Sequence, residues 1–316
     1  MDNKDIDVVC IGSCMIDLNA YTSQLPRANE TCFGHHFMQS FGGKGSNQIV
    51  QAARLGVRTL MIGSVGDDLY GSSYIDQFCK EGVIWKGIRS STSPEFSTGI
   101  AHITIADNGS NCITIIQGAN KLLSEANVIS NSDSISKSKV LICQNEIPKE
   151  AIVAALKIAK ANNVLSIFNP APAQSMSELM DILLLSDIIV PNEIELSTLT
   201  GLAIDNDKLI EIAAKKLMES VNCKFVIVTL GEKGCCFVAE DMCVFINTDT
   251  VNAIDTVGAG DSFIGTLSAC LSKMPLSTSS LMESITKALY CASQSVTRKG
   301  AQVSYCFRHE LPEDFI

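Results

Sequence analysis

Several short segments of this chain are apolar at nearly every position and stop at a polar or glycine-bearing corner. Val8–Ile11 ends at Gly12-Ser13, Lys139–Cys143 at Gln144-Asn145-Glu146, and Val164–Phe168 at Asn169-Pro170-Ala171-Pro172. Ile188–Val190 ends at Pro191-Asn192, and Phe225–Val228 at Thr229-Leu230-Gly231. A strand sends successive side chains to opposite faces, so a run apolar throughout must be covered on both sides. Between these runs lie windows of helical spacing: Ile49, Ala52, Ala53 and Leu55 closed by Gly56, then Tyr74, Ile75 and Phe78, then Ala151–Ala161 and Leu209–Val221. Thr59–Val65 reads as a further strand. This alternation predicts a parallel sheet with helices on both faces, a three-layer α/β/α sandwich. The 316 residues suit one large α/β domain over 1–316 with an accessory piece.

Two stretches break the rhythm. Tyr21–Phe41 is polar and carries Pro26. Thr98–Ile116 alternates, turns at Asp107-Asn108-Gly109 and resumes, which predicts a β-hairpin. Together, at about 16–41 and 98–118, they would make a small β-sheet outside the main layers. A small sheet with one apolar face must cover something, whether a substrate, a second subunit or both.

Charge and cysteine usage remove whole classes of function. A net charge of -10 argues against a general binder of nucleic acid or anionic membrane. An anionic substrate would therefore need local positive charge from a metal, a helix end or a few Lys and Arg. The thirteen cysteines are odd in number, scattered and without a CxxC pair. With Met1–Asp7 polar rather than a secretory leader, they read as free thiols in a reducing cytoplasm, the nucleus included. The longest apolar runs, such as Ile182–Leu185, are too short to span a bilayer. His35 and His36 stand on no metal-ligand spacing.

Polar residues gather just after strands: Asp17, Glu146, Asn192, Glu195 and Thr229. In a doubly wound sheet those ends share the ligand-binding edge. Phe41-Gly42-Gly43-Lys44-Gly45-Ser46-Asn47 adds a loop whose backbone can touch a small polar ligand, with Lys44 and Asn47 as donors. Late in the chain, Val251–Ile254 reads as an extended approach to Asp255-Thr256-Val257-Gly258-Ala259-Gly260-Asp261. Phe263, Ile264, Leu267 and Leu271 then set a helix opening at about Asp261. The bare N–H groups and dipole of a helix N-terminus attract an anion, and the glycines let the chain turn there. An Asp at that mouth can be a simple cap. It can also be a base that takes a hydroxyl proton while the amides hold a phosphoryl group. The third glycine of a dinucleotide fingerprint is missing, no P-loop occurs, and the protein-kinase signature set is absent.

Gly42–Asn47 followed by Gln51-Ala52-Ala53-Arg54-Leu55-Gly56, and Asp255–Phe263, resemble the two signatures of the ribokinase/PfkB family of carbohydrate kinases. Asn169-Pro170-Ala171-Pro172, Asn192-x-x-Glu195, Thr229-Leu230-Gly231 and Arg298-Lys299-Gly300-Ala301-Gln302 are similar to further family segments, in order, across about residues 8–310. The resemblance implies the α/β/α fold with a small β-sheet lid that covers the sugar and pairs with its copy in a homodimer. It implies ATP-dependent phosphorylation of a sugar, ribose ahead of fructose or nucleosides. Asp17, Gly43, Lys44, Asn47 and Glu146 would hold the sugar, with Met15 beside them where many relatives have a polar residue. Asp261 would be the base, and Val257, Gly258, Ala259 and Gly260 the anion hole. Asn192 and Thr229, Leu230, Gly231, Glu232, Lys233 and Gly234, with Gly260, would face ATP, its adenine near Ala288 and Leu289. Glu195 would order Mg²⁺ through water. Asp255, Val257, Ser295, Arg298, Gly300 and Ser304 would hold K⁺. Ser46 and Val303 stand where Ala and Pro are more usual, and Met274–Ser280 is slightly long. The alternatives are a family enzyme acting on deoxyribose, another sugar or a nucleoside, and a non-catalytic sugar-binding regulator.

Overall fold

The computed structural model describes residues 6–90 and 96–316, apart from the side chains of Arg89 and Ser90. Residues 1–5, part of the polar stretch Met1–Asp7 read as unlike a secretory leader, lie outside it. Among the described residues one large sheet has nine strands. Their order is Met242–Ile246, Cys235–Ala239, Phe225–Thr229, Ile188–Ile189, Leu165–Asn169, Val140–Gln144, Val8–Ile11, Thr59–Ile62 and Ile84–Trp85. From Phe225–Thr229 onward every neighbouring pair runs parallel. The apolar runs are buried on both faces as their composition requires. Val8 and Cys10 join one core with Ile49, Phe78, Phe263 and Ile285, while Val9 and Ile11 join the other with Ile152, Ile182, Leu196 and Leu217. Helices Lys44–Arg54, Leu69–Lys80, Ala259–Leu271 and Thr278–Ser295 therefore cover one face. Lys149–Ala161, Met176–Leu183, Glu193–Thr200 and Asp207–Val221 cover the other.

The order reverses at Val8–Ile11, which pairs with Val140–Gln144 on one side and Thr59–Ile62 on the other. Such a switch point opens a crevice beyond the carboxyl ends of the two strands. Ser13 and Glu146 leave the sheet at that point. Above it lies the smaller sheet, ordered Gly34–Gly42, Met15–Thr22, Gly99–Ala106 and Asn111–Ile116. Met15–Thr22 runs parallel to Gly99–Ala106 and antiparallel to Gly34–Gly42. Gly34–Gly42, Gly99–Ala106 and Asn111–Ile116 fall on the two stretches that broke the βα rhythm, whereas Met15–Thr22 begins earlier and places Asp17, read as following a strand end, inside a strand.

Two local expectations need correction, and two further features lay outside the sequence pattern. Thr59–Val65 is two strands: after Gly63 the chain leaves the large sheet, and Ser64–Gly66 pairs with Ile88–Ser90. The antiparallel edge hairpin Cys235–Ala239 and Met242–Ile246 had no counterpart in the βα pattern. Residues 251–254 form no strand; Ile254 donates its N–H to the Val296 carbonyl at the end of a helix instead. The late helix starts at Ala259, two residues early, because Gly258 turns the chain in the left-handed region at φ 79°.

That helix lies unusually close to Lys44–Arg54. A Cβ on Gly265 would stand 2.4 Å from the Gln48 carbonyl oxygen, so only glycine permits the approach. The contact carries Asn47 and Gln48 to the start of the late helix.

Candidate active site

Asp261 occupies the third position of the late helix and is 6% exposed. It does not act as a cap. One carboxylate oxygen accepts from Asn47 Nδ2 at 3.0 Å and the other from Gln48 Nε2 at 2.9 Å. The orientation of both amides is fixed from behind. Gln302 Nε2 donates to Asn47 Oδ1 at 3.0 Å, and Gln144 Nε2 donates to Gln48 Oε1 at 2.6 Å. Each carbonyl is thus occupied, and each NH₂ is left facing the carboxylate. Sequence reasoning missed Gln48 and Gln144. Gln48 lies beside Asn47, and the cue was a run of amides, Asn47, Gln48 and Gln51, buried in one helix.

Asp261 borders a cavity of about 230 Å³ with Lys44, Asn169, Asn192, Glu195, Thr229, Thr256, Gly258 and Gly260. The amides of Gly260 and Asp261 are first-turn groups with no helical acceptor by position, and a Cβ at Gly260 would meet only open space. The positive end of the dipole is therefore directed at the cavity that contains the carboxylate. Lys44 carries the adjacent charge, and Asp261 first, then Glu146 and Glu195, push its ammonium above the usual lysine value.

Across the switch point, Glu146 accepts at 2.9 Å from the backbone N–H of Lys44 and also from the Ser13 hydroxyl. Burial raises its carboxyl despite Lys44 and Ser13. Asp17, on the small sheet, packs over Gly42, where any Cβ would collide with its carboxylate at 2.3 Å. Burial, then Glu146 and Asp261, push Asp17 up to about 7. Gly43 turns the chain at φ 88° into the first helix, and Met15 is 3% exposed, a packed side chain.

Asn192 and Glu195 engage each other. Asn192 donates its backbone N–H and Nδ2 to the two Glu195 oxygens at 2.8 and 3.0 Å and accepts the Glu195 N–H. Burial raises the Glu195 carboxyl. Both residues border the smaller cavity, with Asp261, and not the second cavity described next.

That second cavity, of about 680 Å³, shares Thr256 with the first and is more apolar. Gly231, Glu232 and Lys233 border it, as do Val251, Ala259, Leu289 and Val296. Of the other residues read as facing ATP, Thr229 borders the smaller cavity, while Leu230 packs in the core and Gly234 lies against the Ile246 carbonyl. Leu289 lines the space and Ala288 is buried. The segment Thr248–Val251 lines it too, which nothing in its sequence advertised.

The Asp255 carboxylate accepts from Val257 N at 3.1 Å and Gly300 N at 2.8 Å, drawing 255–257 against 298–300. Ser295 and Ser304 are buried, their hydroxyls donating to the carbonyls of Ala292 and Ala301. The Arg298 guanidinium points away, to Glu310 at 2.9 Å. Ala259 and Val257 complete the turn, Val257 being 55% exposed. Among the described residues no helix is long and apolar enough to cross a membrane, and all thirteen cysteines are free.

Residues 5–306 match the family model described as pfkB family carbohydrate kinase. Ribokinase from Mus musculus is 41% identical over 307 residues, spanning 96% of this chain and 93% of the mouse protein. Deoxyribokinase from Salmonella typhi is 37% identical over 301 residues, 95% of each chain. The structure of Arabidopsis thaliana ribokinase complexed with ribose and ATP superposes with a TM-score of 0.86 at 26% identity, covering 97% of both chains.

Proposed function

The chain belongs to the pfkB family of carbohydrate kinases, and we propose from that premise that it phosphorylates ribose at O5 with ATP, giving ribose 5-phosphate and ADP. One observation carries the proposal: a carboxylate held by two amides stands beside the bare start of a helix, in a polar cavity that abuts a larger apolar one. The polar cavity suits the reacting hydroxyl and γ-phosphate, and the apolar one suits an adenosine.

Asp17, Gly43, Asn47 and Glu146 orient the sugar, and Asp261 accepts the O5 proton as that oxygen attacks phosphorus in line. The amides from Val257 to Gly260 and the Lys44 ammonium meet the charge that spreads over the equatorial oxygens. The small sheet acts as a lid that excludes water from the transfer.

Three carboxylates (Asp261, Glu146 and Glu195) act on Lys44, the one cation among the described residues bordering the smaller cavity, so a polyphosphate entering here needs further positive charge. Glu195 fits a Mg²⁺ held through water: it is a buried carboxylate bordering the cavity, and its oxygens retain lone pairs beyond the Asn192 bonds. When bound, the ion would neutralise phosphate oxygens. The Asp255 carboxylate, the carbonyls of Val257, Ser295, Arg298 and Gly300, and Ser304 would supply oxygens to a K⁺ beside the anion hole, and the Asp255 bonds that draw 255–257 against 298–300 support that reading. Thirteen free thiols suit a reducing cytoplasm as the site of action.

The small sheet leaves Ile113 and Ile115 52% exposed, on the face that carries Asp17 by strand register. A second copy of the lid would cover them in a homodimer. Deoxyribose is the second substrate to weigh, because a deoxyribokinase is 37% identical over 95% of this chain. ADP release is the assay: turnover is expected with ribose and ATP, faster in K⁺ than in Na⁺. A parent protein that releases no ADP with either pentose would overturn the kinase assignment.

A further inference from the structure

Gly258 caps the late helix in the left-handed region, and its carbonyl accepts two bonds. One is the first helical bond, from Ser262 N at 2.8 Å. The other comes from outside the helix, from the Tyr305 hydroxyl at 3.0 Å. Tyr305 belongs to the C-terminal segment 301–307, which presses on the turn so closely that a Cβ on Gly258 would meet Tyr305 Oη at 2.6 Å and Ala301 Cα at 3.0 Å. Tyr305 is fully buried, and its hydroxyl is the donor in this bond.

The segment that carries it is itself anchored. Arg54 Nη1 donates to the carbonyls of Tyr305, at 3.2 Å, and Gln302. Its other nitrogens form a two-point bond to Glu81 at 2.6 and 2.8 Å, and both side chains are largely buried. Phe307 lies against the guanidinium, 4.2 Å from its ring centre. From the same segment Gln302 fixes Asn47, which holds Asp261. One short stretch of chain thus braces both halves of the site, the base through Gln302 and the amide turn through Tyr305.

We propose that Tyr305 is a positioning residue for phosphoryl transfer, acting through Gly258 to fix the turn from which the helix amides point. Resting on the sugar-kinase reading above, the proposal assigns it no contact with sugar or nucleotide. The groups read as holding the sugar, Asp17, Gly43, Lys44, Asn47 and Glu146, stand on other elements, and the Tyr305 hydroxyl bonds Gly258 and none of them, so its loss should fall on turnover and not on sugar binding.

Tyr305→Phe removes one oxygen from a packed site and leaves the Ser262 bond to Gly258 intact. Two readouts are needed. A lost hydrogen bond of ordinary net size, felt only in the transition state, is expected to lower kcat about three- to tenfold. The sugar KM should stay within about twofold, as expected when an interaction made only in the transition state is removed. Hydrogen exchange of the Ser262 amide, measured on the unliganded protein, should quicken relative to amides late in the same helix. Unchanged exchange at Ser262 overturns the proposal whatever the substrate is. So does a fall in kcat matched by a rise in sugar KM, the pattern of general loosening. A parent protein inactive on sugars sinks the kinase assignment alone, since the exchange readout does not depend on it.

Discussion

Replacing Asp261 by Asn tests the centre of the site, and the structure sets two separate costs. The first is chemical. An amide cannot accept the hydroxyl proton, and positioned general bases contribute about 10²–10⁴ in rate, equivalent to about 2.7–5.5 kcal/mol of barrier. The second is structural. The native carboxylate accepts from two NH₂ groups, whereas an Asn amide has one acceptor and would set its own NH₂ against a donor. Neither neighbour can turn over to relieve the clash, because Asn47 Oδ1 is held by Gln302 and Gln48 Oε1 by Gln144. A buried polar group left so mismatched costs about 1–3 kcal/mol. Asp261→Ala loses the base as well but sets no donor against a donor and opens room for water. Both variants should therefore lose about 10²-fold or more in kcat by coupled ADP release. The Asn variant should melt no higher than the Ala variant. Turnover within tenfold of the parent in both proteins would remove Asp261 from the role of base.

Asp17 predicts a pH dependence of sugar binding. Its carboxyl sits at about 7, so it is protonated below that pH and forfeits an acceptor for a sugar hydroxyl. The sugar KM should accordingly fall as pH rises between about 6 and 8, and a D17N protein should show no such slope. Filling the larger cavity with Ala292→Phe should weaken ATP by about 1–3 kcal/mol, roughly 5- to 150-fold in KM, while the sugar KM stays put. Equal changes in both KM values would place the nucleotide elsewhere. Ile115→Asp, on the exposed apolar face of the small sheet, should convert a dimer to monomers in sedimentation velocity; an unchanged profile would move the interface off that sheet.

Much of this protein is legible in short windows of its sequence. Runs such as Val8–Ile11 are apolar on both pleats, which admits little besides a covered parallel sheet, and the interrupted rhythm at 21–41 and 98–116 marked the second sheet. Gly258-x-Gly260-Asp261 before a helical pattern announced a helix mouth with a carboxylate in it, because turn chemistry and helix ends are local. What holds that carboxylate is not local. Its partners lie 213 and 214 residues away, and their orientation is set by Gln144 and Gln302 from two further parts of the chain. Burial beside Glu146 and Asp261 is what moves Asp17 to about 7, and composition contains no trace of it. The larger cavity likewise draws on 231–233, 248–253 and one face of Thr278–Ser295, segments that meet only because the edge hairpin returns the chain across the sheet. Pattern and propensity act over a few residues, whereas charge, desolvation and side-chain hydrogen bonds act between whatever the fold brings within a few ångströms; the first the sequence displays directly, and the second exists only once the chain has closed on itself.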